Sequence, residues 1–329
     1  MTRSILPLRL LTAQWPRLAL CVLSLGLHFS PAEAADVEPG EVYSLAQQIL
    51  GDIELIRSEM GIPKTAFVPI KVSGVSPWES FHQAKLLYEK TNQLAFEFTR
   101  HKAPDISTPL TRDISNADVL KTLEIVRERV METKKALGIT ESPPAPPAAQ
   151  VTDNDVFLTF VIADRVAHQC LLTPIAPMLA YQRVTLAVGY TSRLLELFPD
   201  AAGVMPATPP LERGKIPGDT FFRLHGCLTI IEQIAAKSGV KIMKLDVSAV
   251  EREKLTPADV QNMAAIIIAE LSYLHSLKKN VKPVRQAIYP GRKFPSLVYQ
   301  RAGILEAQLT DLLRKISKSP RWLDGVFNR

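Results

Sequence analysis

The chain has 329 residues, of which 47% are apolar and 22% charged, and its formal net charge is +6. Enough apolar residues are present to build a real core, so a disordered or collagen-like chain is excluded. The positive charge is too small to argue for nucleic acid, and 15 glycines spread thinly leave no Gly-rich loop to cradle a phosphate.

Residues 1–34 read as a secretory signal. Arg3, Arg9 and Arg17 precede an apolar run from Leu18 to Leu27, and Pro31-Ala32-Glu33-Ala34 supplies small residues for cleavage near Ala34. The run is too short to span a bilayer comfortably. Cys21 follows Leu18-Ala19-Leu20, which lacks the small residues that a lipid-attachment site requires. The expectation is an exported chain, periplasmic or secreted, soluble and with no transmembrane segment once the signal is removed.

From residue 38 onward one pattern recurs: a helix start. Ser76-Pro77-Trp78-Glu79 is its fullest form. A Ser or Thr at the N-cap accepts from the first-turn N–H groups. Pro fits the next position because it has no N–H to leave unpaired. An acid two residues later reaches back to the cap and meets the positive end of the helix dipole. In chain order the position after the cap is Pro39, Pro77, Asn116, Asp153, Pro177, Pro217, Pro257 and Pro295. The acid follows at Glu41, Glu79, Asp118, Asp155, Asp219 and Asp259 but is missing after Pro177 and Pro295.

Columns downstream repeat as well. Four residues on stand Tyr43, Phe81, Leu120, Phe157, Tyr181, Phe221 and Tyr299, with Gln261 breaking the series. Ten residues on stand Ile49, Leu87, Val126, Ala163, Ala187, Cys227, Ile267 and Leu305. Val42, Ala46, Ile49, Ile53, Ile56 and Met60 alternate steps of four and three, as do Val298, Ala302, Leu305, Leu309, Leu312 and Ile316, which is bundle spacing. Gly61, Gly138 and Gly239, each followed by an apolar residue, mark Schellman stops. The expected fold is therefore all-α: a helical repeat or bundle of about eight helices of roughly 21 residues, about 31 Å each. The column ten residues past the start should be the most buried, and the starting acids Glu79 and Asp259 should be exposed.

The linkers are long and Pro-rich, as in Pro143-Pro144-Ala145-Pro146-Pro147. At about 15 residues each they can run back along a helix, so consecutive helices are free to lie parallel. Val247 to Lys254 could hold a short helix, and Phe67 to Val72 could pair with a neighbouring linker. Only Thr173-Pro174-Ile175-Ala176 joins two helices tightly, which forces an antiparallel turn there. The helices thus fall into two groups of four, 35–173 and 174–329, as two domains or one continuous one.

Chemistry is sparse. His82, His101, His168, His225 and His275 stand at different columns without metal-ligand spacing, so no metal and no cofactor is expected. Asp164 and His168 are four apart and could share a face with Asp153 and Asp155 nearby, but the last two are better explained as helix-start acids. Cys170 and Cys227 stand at different depths along their helices, which favours free, buried thiols over a disulfide. The segment least like scaffold is Tyr289 to Arg301. Tyr289, Arg292, Lys293 and Tyr299 surround a helix N-terminus there, suited to an anionic group. Arg213 and Lys215 stand in the corresponding place before an earlier helix. The expected function is that of an exported, non-enzymatic helical binding or scaffold protein of the cell envelope, with an envelope protein or an anionic ligand as partner. The alternative is a small-molecule binding or sensing module with a pocket between helices, near the small residues Ala163, Ala167, Ala180 and Ala187.

Overall fold

The computed structural model describes residues 37–64, 70–107, 113–147, 150–173, 176–198, 205–278, 281–285, 291–319 and 322–323. The signal reading of 1–34 and Tyr289 lie outside them. The described residues contain α1 (Pro39–Glu59), β1 (Lys71–Ser73), α2 (Pro77–Thr99), α3 (Asn116–Leu137), α4 (Asp153–Cys170), α5 (Pro177–Leu195), α6 (Pro217–Lys237), β2 (Lys244–Asp246), α7 (Pro257–Ser276) and α8 (Pro295–Lys318). The fold is all-α, with a 3-10 turn at Arg252–Lys254.

Each helix begins at the residue the repeat marks, and the caps explain why. The cap N–H donates to the acid two residues into the helix at Ser76 (2.8 Å), Ser115 (2.9 Å), Thr152 (2.8 Å), Ile216 (3.0 Å) and Thr256 (2.9 Å). At Ile216 this is half a capping box, because its side chain has nothing to accept with. The stops are equally local. Gly61, Gly138 and Gly239 have φ of +67°, +75° and +70°, and the next N–H reaches back to Arg57, Lys134 or Ala235 O in the Schellman manner.

The helices build two four-helix bundles with the same cyclic order. In the first, α1 and α2 each pack on both α3 and α4; in the second, α5 and α6 each pack on both α7 and α8. Each bundle has its own apolar core. All eight residues of the column ten past the start are buried, from Ile49 to Leu305. Cys170 lies in the first core and Cys227 in the second, so the free thiols cannot meet. Ala163 and Ala167 pack in the first core, and Ala180 and Ala187 in the second.

Helices within a bundle run parallel. Gln47 Nε2 donates to Thr159 Oγ1 (3.1 Å) at nearly equal depth in α1 and α4. Gln308 Nε2 does the same to Ser192 Oγ (2.8 Å) between α8 and α5. The long linkers are what return the chain to the same end each time. The direction reverses between α4 and α5, and the Leu172 and Thr173 N–H groups that follow α4 are held by the Glu97 carboxylate (2.8 and 3.2 Å); residues 174–175 lie outside the described residues. The second bundle therefore runs antiparallel to the first: Asp259, early in α7, meets Arg165, late in α4 (3.0 Å).

The bundles meet chiefly through α2 and α7, with β1 and β2 forming an antiparallel ribbon that pairs Val72 with Leu245 across the same junction. A helix that packs on both sides is buried on all faces. α7 accordingly carries an unbroken run, Met263 to Leu271, of buried side chains. This corrects one expectation: Glu79 and Asp259 are only 4% and 5% exposed. Both cap their helices as read, but α2 and α7 start inside the junction and not at a free end.

Candidate functional site

Two places gather polar chemistry. The first is an open cleft of about 410 Å³ between α6 and α8, lined by Lys215, Asp219, Phe222, Arg223, Arg252, Tyr299 and Glu306. The start of α6 is tied to α8 because the Lys215 N–H donates to Ser296 Oγ (3.2 Å). The Lys215 ammonium and the Arg223 guanidinium both lie over the Tyr299 ring, 4.4 Å from its centroid. Arg252 lies over Phe222 at 4.9 Å. Such placements attract cations to the negative face of the ring.

Two glycines make the cleft possible. A Cβ at Gly303 would stand 2.6 Å from the Arg223 guanidinium, and one at Gly218 would stand 2.2 Å from the Arg252 carbonyl oxygen. Each cation also has a carboxylate: Lys215 has Glu212 (2.7 Å), Arg223 has Glu306 (2.9 Å) and Arg252 has Asp219 (2.7 Å). The hydrogen bond that the Lys215 ammonium donates to Glu212 holds its pKa above the ordinary lysine value. The lining is thus alternately charged and exchangeable. An incoming anion can take a cation from a solvent-exposed carboxylate at small cost, since exposed pairs are weak.

Of the residues singled out in the sequence, Lys215 and Tyr299 come together here. Arg213 is exposed and does not line the cleft. Arg292 is exposed, and Lys293 lies over Tyr181 of α5 instead (5.0 Å). Phe222, Arg223, Arg252 and Glu306 were not singled out. Their only sequence signal is Gly303 in the middle of a helix, an unfavourable residue there unless something approaches closely.

The second place is the seam between the bundles. Glu79 Oε2 accepts from the Ser76 N–H (2.8 Å) and Oγ (2.5 Å) and faces the Glu270 carboxyl of α7. Glu270 is fully buried; Glu79 and the Met243 N–H lie against it, but neither of its oxygens has a hydrogen bond of ordinary geometry. Burial raises the Glu79 carboxyl, and burial together with the Glu79 charge raises Glu270 well above the ordinary carboxylate range. Two buried carboxylates in contact do not both ionise, so the pair holds a proton, and it resides on Glu270 because the Ser76 bonds favour charge on Glu79.

Around the pair, Trp78 Nε1 donates to Ala269 O (2.9 Å), and its ring meets His82 and Tyr273. Burial, with help from Lys85 and Arg183, pushes His82 down to about 3, so its ring is neutral. His82 Nε2 and both amide atoms of Asn262 have no partner among the described residues. Lys90 and Asp164 form a fully buried ion pair, and burial lowers the Lys90 ammonium. Asp164 therefore serves Lys90 and not His168, and Asp155 accepts the Thr152 bonds as a cap. The acids of this seam are buried where α2, α4 and α7 pack together. No group of three His, Cys, Asp or Glu among the described residues is placed to hold a metal ion.

No family model, no curated protein and no solved structure matches the chain. Among the described residues, no helix is long and apolar enough to cross a membrane.

Proposed function

We propose that the chain is an exported, non-enzymatic binding protein of the cell envelope, and that the cleft between α6 and α8 is its ligand-contact site. The observation that carries this reading is the arrangement of Lys215, Arg223 and Arg252 on the faces of two aromatic rings around an open cleft. Its volume is in the range of small-ligand sites. The lining recognises an anionic group, carboxylate or phosphate, carried on a body flat enough to lie against Tyr299 or Phe222. The long parallel-helix frame supplies rigidity, and the buried seam keeps the two bundles in one arrangement. Export accords with the residues 1–34, whose arginines, apolar run and Ala-x-Ala end form a cleavable signal.

The test is a thermal-shift screen of the chain from Ala35 against carboxylates and phosphate esters, aromatic and not. An anion that raises the melting temperature by several degrees in the wild type, but not in Arg223→Ala, supports the reading. Equal shifts in both proteins, or none with any anion, would sink it.

A further inference from the structure

The starts of α6 and α8 break two local rules together. The N-cap is Ser or Thr at α2, α3, α4 and α7, Glu38 at α1 and the small Ala176 at α5, whereas it is a large apolar residue at α6 (Ile216) and α8 (Phe294). Both side chains are exposed, Ile216 by 40% and Phe294 by 49%. Neither can accept from the first turn, so each position forgoes a capping bond. Just before each cap stand two cations, Arg213 and Lys215 before α6 and Arg292 and Lys293 before α8. Cations are disfavoured at that pole of the helix dipole. A left-handed glycine accompanies each pair, Gly214 at φ +76° and Gly291 at φ +72°. Local choices that cost stability twice, in the same way at two places, point to a use outside the fold.

The fold puts the two places side by side. α6 and α8 are neighbours and parallel, and the hydrogen bond from the Lys215 N–H to Ser296 Oγ ties the residue before the α6 cap to the first turn of α8. Leu172, 62% exposed, stands in the tight turn that leads into α5, whose first turn is in turn beside Lys293. One end of the second bundle therefore presents Leu172, Ile216 and Phe294 as separate projecting apolar side chains among Arg213, Lys215, Arg292 and Lys293.

We infer that this end rests on an anionic phospholipid surface, with Ile216 and Phe294 entering the interface and the exposed Arg213 and Arg292 meeting lipid phosphates. Single apolar side chains on turn tips, ringed by cations, suit the boundary between headgroups and acyl chains. A second copy of the chain does not suit this end, because its own cations would face these ones. The inference goes beyond the cleft: its apolar contacts are outside the cleft lining, and Arg223 has no part in it.

The test is co-sedimentation of residues 35–329 with vesicles of pure phosphatidylcholine, and with vesicles in which a quarter of the lipid is phosphatidylglycerol. Binding is expected only to the anionic vesicles, and it should weaken as salt rises. The double variant I216S/F294S should bind at least about tenfold more weakly, yet melt no lower than wild type, because Ser is the better cap. A retained melting temperature separates lost docking from lost folding. R223A should bind vesicles as wild type does, which distinguishes this surface from the cleft. No binding to anionic vesicles overturns the inference. So does binding that I216S/F294S leaves unchanged, which would mark a general polyanion or acidic-protein surface.

Discussion

The two bundle cores and the seam between them are both buried but built on opposite principles. The cores are apolar columns, Ile49 to Ile56 on α1 or Leu305 to Ile316 on α8, whose order follows from a repeated seven-residue spacing. The seam buries Glu79, Gln83, Lys90, Asp164, Asn262 and Glu270 where α2, α4 and α7 meet. Apolar contacts are non-directional, so a core tolerates approximate fit. The polar contacts that cross between the bundles, Trp78 to Ala269 O, Arg165 to Asp259 and Glu79 against Glu270, are directional, so the seam specifies how the bundles dock while adding little net stability.

The largest expected effect breaks the seam. Lys90→Met leaves the buried Asp164 carboxyl without its partner and should destabilise by about 3–5 kcal/mol, whereas Lys90→Met with Asp164→Leu should recover most of that loss. Urea unfolding of the single and double variants measures it. If the double variant is as unstable as the single one, the pair contributes more than docking specificity.

Core truncation comes next. Leu87→Ala and Leu305→Ala remove equivalent side chains from the two cores, and each should cost about 2–5 kcal/mol. Similar costs in both bundles would confirm that the columns are equivalent, and a small cost in either would show that its register differs.

The seam should also carry an acid–base signature that the cores lack. Glu270 is raised in the folded chain, so above the ordinary carboxylate value of 4.5 the unfolded chain releases a proton that the folded chain keeps. This contribution to stability is complete below pH 4.5 and lost as pH rises through the folded value. His82 works in the other direction. Its value falls from 6.5 to about 3, so stability is present above pH 6.5 and lost as pH falls toward 3. Each limb has a slope of at most about 1.4 kcal/mol per pH unit. Glu270→Gln should flatten the alkaline limb and His82→Leu the acid limb, read from melting temperatures across pH. Unchanged profiles would mean that the seam opens before either group titrates.

The smallest effect compares caps. Asp118, at the exposed start of α3, should cost about 1 kcal/mol or less on change to Ala. Asp259 should cost more, because it caps α7 and also pairs with Arg165. Equal costs would show that the Arg165 contact contributes nothing.

Much of this was legible in the order of residues, and for a local reason. Caps, N-terminal prolines, Schellman glycines and the ten-residue column act within one or two turns, so the eight starts and the buried column could be read directly. The short connection after α4 also stated a reversal there, since chain length limits reach, while the long linkers elsewhere permitted parallel neighbours without requiring them. The burial of Glu79 and Asp259 could not be read this way. Their spacing is the same as that of exposed Asp118 and Asp155, and only the packing of α2 on α7 distinguishes them. Gln261 was the one visible sign: a polar residue at an otherwise apolar column, on a helix that is enclosed on all sides.

The candidate cleft divides the same way. Lys215 and Tyr299 stood out as basic and aromatic residues near helix starts. Arg223, Arg252 and Glu306 entered only when α6 and α8 were found adjacent and parallel. The sequence by itself determined where helices begin and end, which face of each is apolar, and which starts carry cations, because these depend on neighbours along the chain. Tertiary structure alone decided which helices pair, which acids are desolvated and which cations share a ring, because those depend on neighbours brought together from distant parts of the chain.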